Sequence, residues 1–171
     1  MRLFIAVPVT AELRQTLADA QAALRRQGVR GRFTAPENQH MTLAFLGNAD
    51  DPAPTIGAMK RVRLPRRALT FDRLTLFGDV LVALFRKCDA ADRYAADLRA
   101  ALDEAGVSYD RQAFRPHITL CRKTSFPSPD FRLSPAERAL RDAKLPVKEV
   151  RLYASDLSGD TPRYTAVYVK K

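Results

Sequence analysis

The sequence repeats itself at an almost constant offset. His40-Met41-Thr42-Leu43 returns as His117-Ile118-Thr119-Leu120, 77 residues further on, and the chain holds no other histidine. Gly28 and Gly106 are 78 apart, as are Arg73-Leu74 and Arg151-Leu152. Around these anchors one order runs twice: strand, helix, glycine stop, loop, phenylalanine, His strand, short helix, strand. A period of this length implies two similar halves, about 1–78 and 79–171, related by a pseudo-two-fold axis. At 171 residues the pair makes a single domain with room for a sizeable core. In such an arrangement the two His-x-Thr strands meet near the axis and share one cleft.

The elements follow from periodicity and punctuation. Leu3 to Val7 is a continuous apolar run that reads as a buried strand. Thr10 is placed to cap a helix with Leu13, Leu17, Ala20 and Leu24 on its inner face, stopped by Gly28. Gly31 to Asn38 reads as irregular loop, and Thr55 to Val62 as a short helix. Leu69 to Phe77 and Val80 to Phe85 form a hairpin across Gly78-Asp79. Asp89 is expected to cap a second long helix, with Tyr94, Ala95, Leu98, Ala101, Leu102 and Ala105 inward and Gly106 as its stop. After the second His strand, Thr124 to Leu133 reads as loop. Ser134-Pro135-Ala136-Glu137 has the pattern of a capping box, opening a helix that ends before Pro146. Val147 to Leu157 and Tyr164 to Val169 close the chain as strands.

Alternation along a strand puts His40, Thr42 and Ala44 on one face and Met41, Leu43 and Phe45 on the other; in the second copy His117, Thr119 and Cys121 oppose Ile118 and Leu120. Histidine, threonine and a small residue suit the floor of a cleft better than a core. Two imidazoles on opposite walls can serve as general base and general acid in one turnover, because histidine titrates near neutral pH. Each threonine lies about 6–7 Å along the strand from its histidine. Its hydroxyl can donate to an anionic oxygen held between the rings. No third histidine or thiolate-carboxylate spacing suggests a metal site, and there is no Gly-rich phosphate loop or GxSxG elbow. Metal-free, cofactor-free acid–base attack on a phosphodiester is the simplest chemistry.

The net charge of +10 favours a polyanionic partner, nucleic acid first. Cys88 and Cys121 lack metal or redox spacing and read as free thiols of a reduced, cytoplasmic protein. The apolar start, Met1 to Val9, runs straight into a charged helix and reads as a strand rather than a signal peptide. No segment approaches membrane-spanning length, and a monomer is expected.

The paired motifs resemble those of the two-histidine (2H) phosphoesterase superfamily, and most closely the bacterial and archaeal RNA 2′,3′-cyclic phosphodiesterases, also known as 2′-5′ RNA ligases. The resemblance spans nearly the whole chain: Arg2 to Ala6, Pro36 to Gly47, Phe114 to Leu120, Leu152 to Ser155 and Arg163-Tyr164. It departs between Asp51 and Pro65, a short proline-flanked stretch where the family has a longer helix. The resemblance implies an α+β, bilobal fold in which two antiparallel sheets face a central cleft with helices outside. It implies hydrolysis of an RNA 2′,3′-cyclic phosphate to a 2′-phosphomonoester. His40 would then donate a proton to the leaving 3′ oxygen, His117 would activate water, and Thr42 and Thr119 would hold the phosphate oxygens. On spacing alone the two histidines remain interchangeable.

Further residues are candidates for RNA contact: Phe4, by stacking on a base, and Arg115, Arg122, Lys123 and Arg163, by charge. Strand parity puts Lys123 on the histidine face and Arg122 on the opposite one. Two other functions fit parts of the pattern. Related 2H enzymes act on small cyclic phosphates such as ADP-ribose 1″,2″-cyclic phosphate. A non-catalytic RNA-binding module would use the charge alone, though no RRM or KH pattern is present.

Overall fold

The structure, a computed structural model, describes residues 1–171. Thirteen helices and strands follow in the order β1 (Arg2–Pro8), α1 (Ala11–Arg26), β2 (Arg30–Phe33), β3 (His40–Asn48), α2 (Ala53–Arg61), β4 (Ala68–Phe77), β5 (Val80–Phe85), α3 (Asp89–Glu104), β6 (His117–Ser125), α4 (Ser134–Leu140), β7 (Lys144–Pro146), β8 (Val150–Asp156) and β9 (Arg163–Lys170). A single 3-10 turn, Pro36–Asn38, precedes β3. Two antiparallel sheets result, with strand orders β3-β1-β8-β9 and β2-β6-β5-β4-β7. One continuous apolar core of 37 buried residues draws on both sheets and all four helices.

The sequence repeat is written into this topology with an exchange. β3-β1-β8 in one sheet corresponds to β6-β5-β4 in the other. Of these three strands each sheet therefore takes two from one half of the sequence and the third from the other half, so a cut near residue 78 separates the repeats but splits both sheets. The helices pair the same way, α1 against α4 and α3 against α2. α1 and α3 are both 16 residues long. They also end in the same hydrogen bonds: Gln27 N to Ala23 O, Gly28 N to Arg25 O and Val29 N to Leu24 O match Ala105 N to Ala101 O, Gly106 N to Asp103 O and Val107 N to Leu102 O. Both are Schellman closures, which satisfy the last carbonyls of a helix.

Several expectations need correction. α3 begins with Cys88 at its cap, without a side-chain hydrogen bond, and Asp89 sits one residue inside beside Asp92 in the first turn, where both carboxylates complement the helix dipole. The capping box does not form. Leu133 occupies the cap of α4, and Glu137 instead accepts a hydrogen bond from the backbone N–H of Leu74 in β4 at 2.9 Å. Residues 31–33, expected as loop, belong to β2; a short β7 pairs with β4; and β6 runs on to Ser125. The Thr10 cap forms as expected, its Oγ1 accepting from Leu13 N at 3.2 Å.

Candidate active site

β3 and β6 are the same strand in two copies, nine residues each, opening with histidine. In the first copy Ala6 lies opposite Thr42, and in the second Val82 lies opposite Thr119. Each strand carries a bulge at the same place. Register passes from Ile5–Ala44 to Ala6–Thr42, leaving Leu43 unmatched, and from Leu81–Cys121 to Val82–Thr119, leaving Leu120 unmatched. An extra residue reverses which side later residues face. Leu43 and Ala44 are accordingly both buried, as are Leu120 and Cys121.

Simple strand parity therefore misplaces the residues beyond each bulge. Cys121 is not a floor residue but a core one, fully buried. Ala44 likewise leaves the histidine face, and Phe45 takes the half-buried position beyond it. Arg122, not Lys123, lines the cavity that holds both histidines; Lys123 is exposed with a left-handed backbone, φ 52°.

That cavity has a volume of about 400 Å³ and is lined by His40, Thr42, His117 and Thr119 together with Arg32, Thr34, Asn38, Arg122, Asp160 and Tyr164, among others. The volume suits a nucleotide-sized ligand. The two histidines are held alike. His40 Nδ1 donates to the carbonyl of Asn38 at 2.7 Å and His117 Nδ1 to that of Arg115 at 2.6 Å. A carbonyl can only accept, so Nδ1 carries the proton and Nε2 is left free for the cavity in each ring.

Their surroundings differ. The His40 ring packs 4.8 Å from Phe4 and meets Tyr164 edge-on at 5.3 Å, with Tyr153 behind. Burial pushes its pKa down from 6.5 to about 4, opposed by the Asn38 hydrogen bond and assisted by the charges of His117 and Arg122. His117 meets Phe77 edge-on at 5.0 Å, and the Arg115 guanidinium lies 3.7 Å over that ring. Its pKa is also lowered, first by burial, with Arg115 and Arg122 adding repulsion. Arg122 thus acts on both imidazoles.

Phe4 is corrected from ligand to support. It is 2% exposed and lies against His40, Phe45, Tyr153 and Tyr164, with no open face for a base. Arg115 borders a second, smaller cavity of about 180 Å³ beside Thr42 and His117, lined also by Phe45 and Phe77. Arg163 precedes Tyr164 on β9 but is not part of the main cavity wall.

Other residues enter the site without having been expected there. Tyr164 walls the cavity and braces His40. Asn38 ties down the opposite rim, its Nδ2 donating to the carbonyl of Pro162 at 2.8 Å. Gln21, buried on α1, donates through Nε2 to the carbonyls of Thr34 at 2.9 Å and Leu120 at 3.0 Å. The Leu120 carbonyl, in the bulge, also accepts from Thr34 N at 2.9 Å. Gln39, next to His40, donates to Gln21 Oε1 at 3.4 Å. A buried polar residue on an otherwise apolar helix face was the available signal for Gln21. Arg32 was missed because β2 is an edge strand of charged residues interrupted by glycine, and Thr34 because it lies in the irregular step between β2 and Pro36.

No group of three or more His, Cys, Asp or Glu side chains stands together as a metal site would require, and no helix is long and apolar enough to cross a membrane.

The geometry has counterparts among known proteins. A family model described as LigT like Phosphoesterase matches residues 7–83 and 86–164. The protein named RNA 2′,3′-cyclic phosphodiesterase from Escherichia coli is 31% identical, with 96% of this chain and 92% of that one covered. The protein of the same name from Thermus thermophilus is 34% identical, with 98% and 88% covered. The solved structure of Escherichia coli LigT complexed with 3′-AMP superimposes with a TM-score of 0.71 at 27% identity, covering 99% of this chain and 95% of that one. By the family model, which spans nearly its whole length, the chain belongs to the LigT-like phosphoesterases of the 2H superfamily.

Proposed function

We propose that the protein hydrolyses RNA 2′,3′-cyclic phosphate ends to 2′-phosphomonoesters by paired histidine acid–base catalysis without a metal ion. The observation that carries this is the pair of imidazoles in one cavity, each with Nδ1 tied to the carbonyl two residues before it and Nε2 free. The names of the relatives supply the substrate.

In the forward direction the cyclic phosphate sits between the rings, its oxygens accepting from Thr42 and Thr119 and facing Arg122. His117 Nε2 takes a proton from water as the water oxygen bonds to phosphorus. The bond from phosphorus to the 3′ oxygen breaks, and protonated His40 Nε2 delivers its proton to that oxygen. Proton exchange with solvent resets the pair. In the free protein His40 is neutral at pH 7. The acid role therefore requires the substrate: an anion between the rings favours the imidazolium form and raises its pKa. With a 5′ hydroxyl in place of water as the nucleophile, the same groups acting in the same direction join RNA ends through a 2′-5′ linkage, and the reverse of that step cleaves the linkage and restores the cyclic phosphate. We place this activity in a cytoplasmic monomer.

His40→Ala and His117→Ala are each expected to remove turnover of a 2′,3′-cyclic-phosphate-ended oligonucleotide while leaving a folded protein, and wild-type activity is expected to survive excess EDTA. An active His117→Ala protein, or strict metal dependence, overturns the scheme. If both variants kept function and salt-sensitive RNA binding were all that remained, the chain would be a binding module.

A further inference from the structure

We propose that the corner formed by the last turn of α1, the edge strand β2 and the outer end of β6 is a track for the RNA backbone upstream of the reacting end. The inference rests on the phosphodiesterase reading and extends it from a nucleotide-sized cavity to a polymeric substrate. Six exposed cations gather there: Arg25 and Arg26 on α1, Arg30 and Arg32 on β2, Arg122 and Lys123 on β6.

Their arrangement is not that of scattered surface charge. β2 is the outermost strand of its sheet, and its register puts Arg32 directly opposite Arg122. Like charges facing each other across a strand pair are destabilising. The chain has four arginine–carboxylate pairs, and they use Arg61, Arg73, Arg111 and Arg151. None of the six cations takes part, so this corner keeps its repulsion. The cluster is also continuous with the site. Arg32 and Arg122 line the main cavity, and the Arg25 guanidinium lies 4.1 Å over the ring of Phe33, another wall residue. Arg30 follows two residues outward along β2, about 6–7 Å from Arg32 for regular strand geometry.

The backbone holds these side chains in place. Gly31, between the two β2 arginines, has φ 147°, and a Cβ there would lie 2.6 Å from Cys121 Sγ and 2.7 Å from the carbonyl oxygen of Arg122. That close approach lets β6 kink against β2, with Lys123 in its left-handed conformation at the kink. Lys123 is thereby kept out of the cavity wall and exposed on the surface, its backbone against Gly31. A row of cations outside any ion pair, leading away from a nucleotide-sized cavity, fits a chain of phosphates, and hence the single strand that ends in the cyclic phosphate.

The test is the variant Arg26→Gln/Arg30→Gln/Lys123→Gln, none of whose positions lines the cavity. It is assayed on a cyclic mononucleotide and on an oligonucleotide ending in the same nucleotide. KM for the oligonucleotide is expected to rise about tenfold at low salt, and the slope of log KM against log salt to fall by up to about 2, near 0.7 for each phosphate no longer neutralised. The mononucleotide parameters stay as in wild type. An unchanged oligonucleotide KM and slope, or an equal loss on both substrates, overturns the track. Anisotropy binding of a 2′-phosphate-ended oligonucleotide separates the two claims. Binding weakened by the triple variant, in a wild type that hydrolyses nothing, keeps the track and sinks the phosphodiesterase reading. Unweakened binding in an active enzyme does the reverse. Tighter binding of an acidic peptide than of the oligonucleotide also overturns the track.

Discussion

His40 and His117 differ in environment more than their shared motif implies, and pH exposes the difference. Both imidazoles lie below 6.5 in the free protein, His40 at about 4. The acid limb of kcat/KM, which reports free enzyme, should therefore fall below pH 6.5 as the base takes a proton, with apparent values belonging to the pair. A bound phosphate favours imidazolium and raises these values. NMR titration of the ring protons should show higher pKa values with inorganic phosphate than without it; identical titrations would contradict the substrate-assisted acid role. Thr42→Val and Thr119→Val, which keep strand-compatible shapes, should each lower kcat by about 10²–10³, the range for loss of one donor to a transition-state oxyanion. A loss confined to KM would show that the hydroxyls bind ground state and transition state equally. These four residues were legible in the sequence because the motif recurs. Arg122 was assigned to the wrong face because a bulge leaves no local mark in the alternation it interrupts: Leu43-Ala44 and Leu120-Cys121 read as ordinary apolar steps. Phe4 was ambiguous for a related reason, since an aromatic residue in a buried strand has the same pattern whether it supports a histidine or faces a ligand.

The β2–β6 edge is the element on which the cavity's two arginines depend. Gly31→Ala places a methyl group against backbone oxygens of Arg122 and Lys123 as well as Cys121 Sγ. Strain and overpacking should together destabilise the fold by about 1–3 kcal/mol. Chemical denaturation measures this, and Cys121→Ala should fail to rescue it, because the carbonyls remain in the way; full rescue would locate the clash on sulfur alone. The long helices and paired strands of both halves were legible from periodicity and glycine stops, and α1 and α3 close with identical hydrogen bonds. β2 and β7 were not, being short and stabilised by pairing partners distant in sequence. The Ser134–Glu137 box failed for a tertiary reason: Glu137 reaches Leu74 N in β4 and leaves its own helix end uncapped.

At the scale of the molecule, the repeat predicted two similar halves, and the topology adds what a linear pattern cannot carry, the exchange of β4 and β8 between sheets. Cutting the chain near residue 78 should therefore leave neither piece with a complete sheet or a complete site. The half-buried neutral His40 also ties global stability to pH. Its folded value near 4 lies below the unfolded 6.5, so the unfolded state binds more protons between them. Stability is fully present above about pH 6.5 and is lost as pH falls toward 4, by on the order of 3 kcal/mol for a shift of this size. His40→Gln should flatten unfolding free energy across that window, and an unchanged pH dependence would place the acid sensitivity elsewhere. At the centre of the molecule's proposed chemistry, two histidines flank a cyclic phosphate and open it at its 3′ oxygen. End-group analysis after incubation with 2′,3′-cyclic-phosphate-ended RNA tests this most directly: the product should keep its phosphate on the 2′ hydroxyl, and a 3′-phosphate product, or no product, would contradict it.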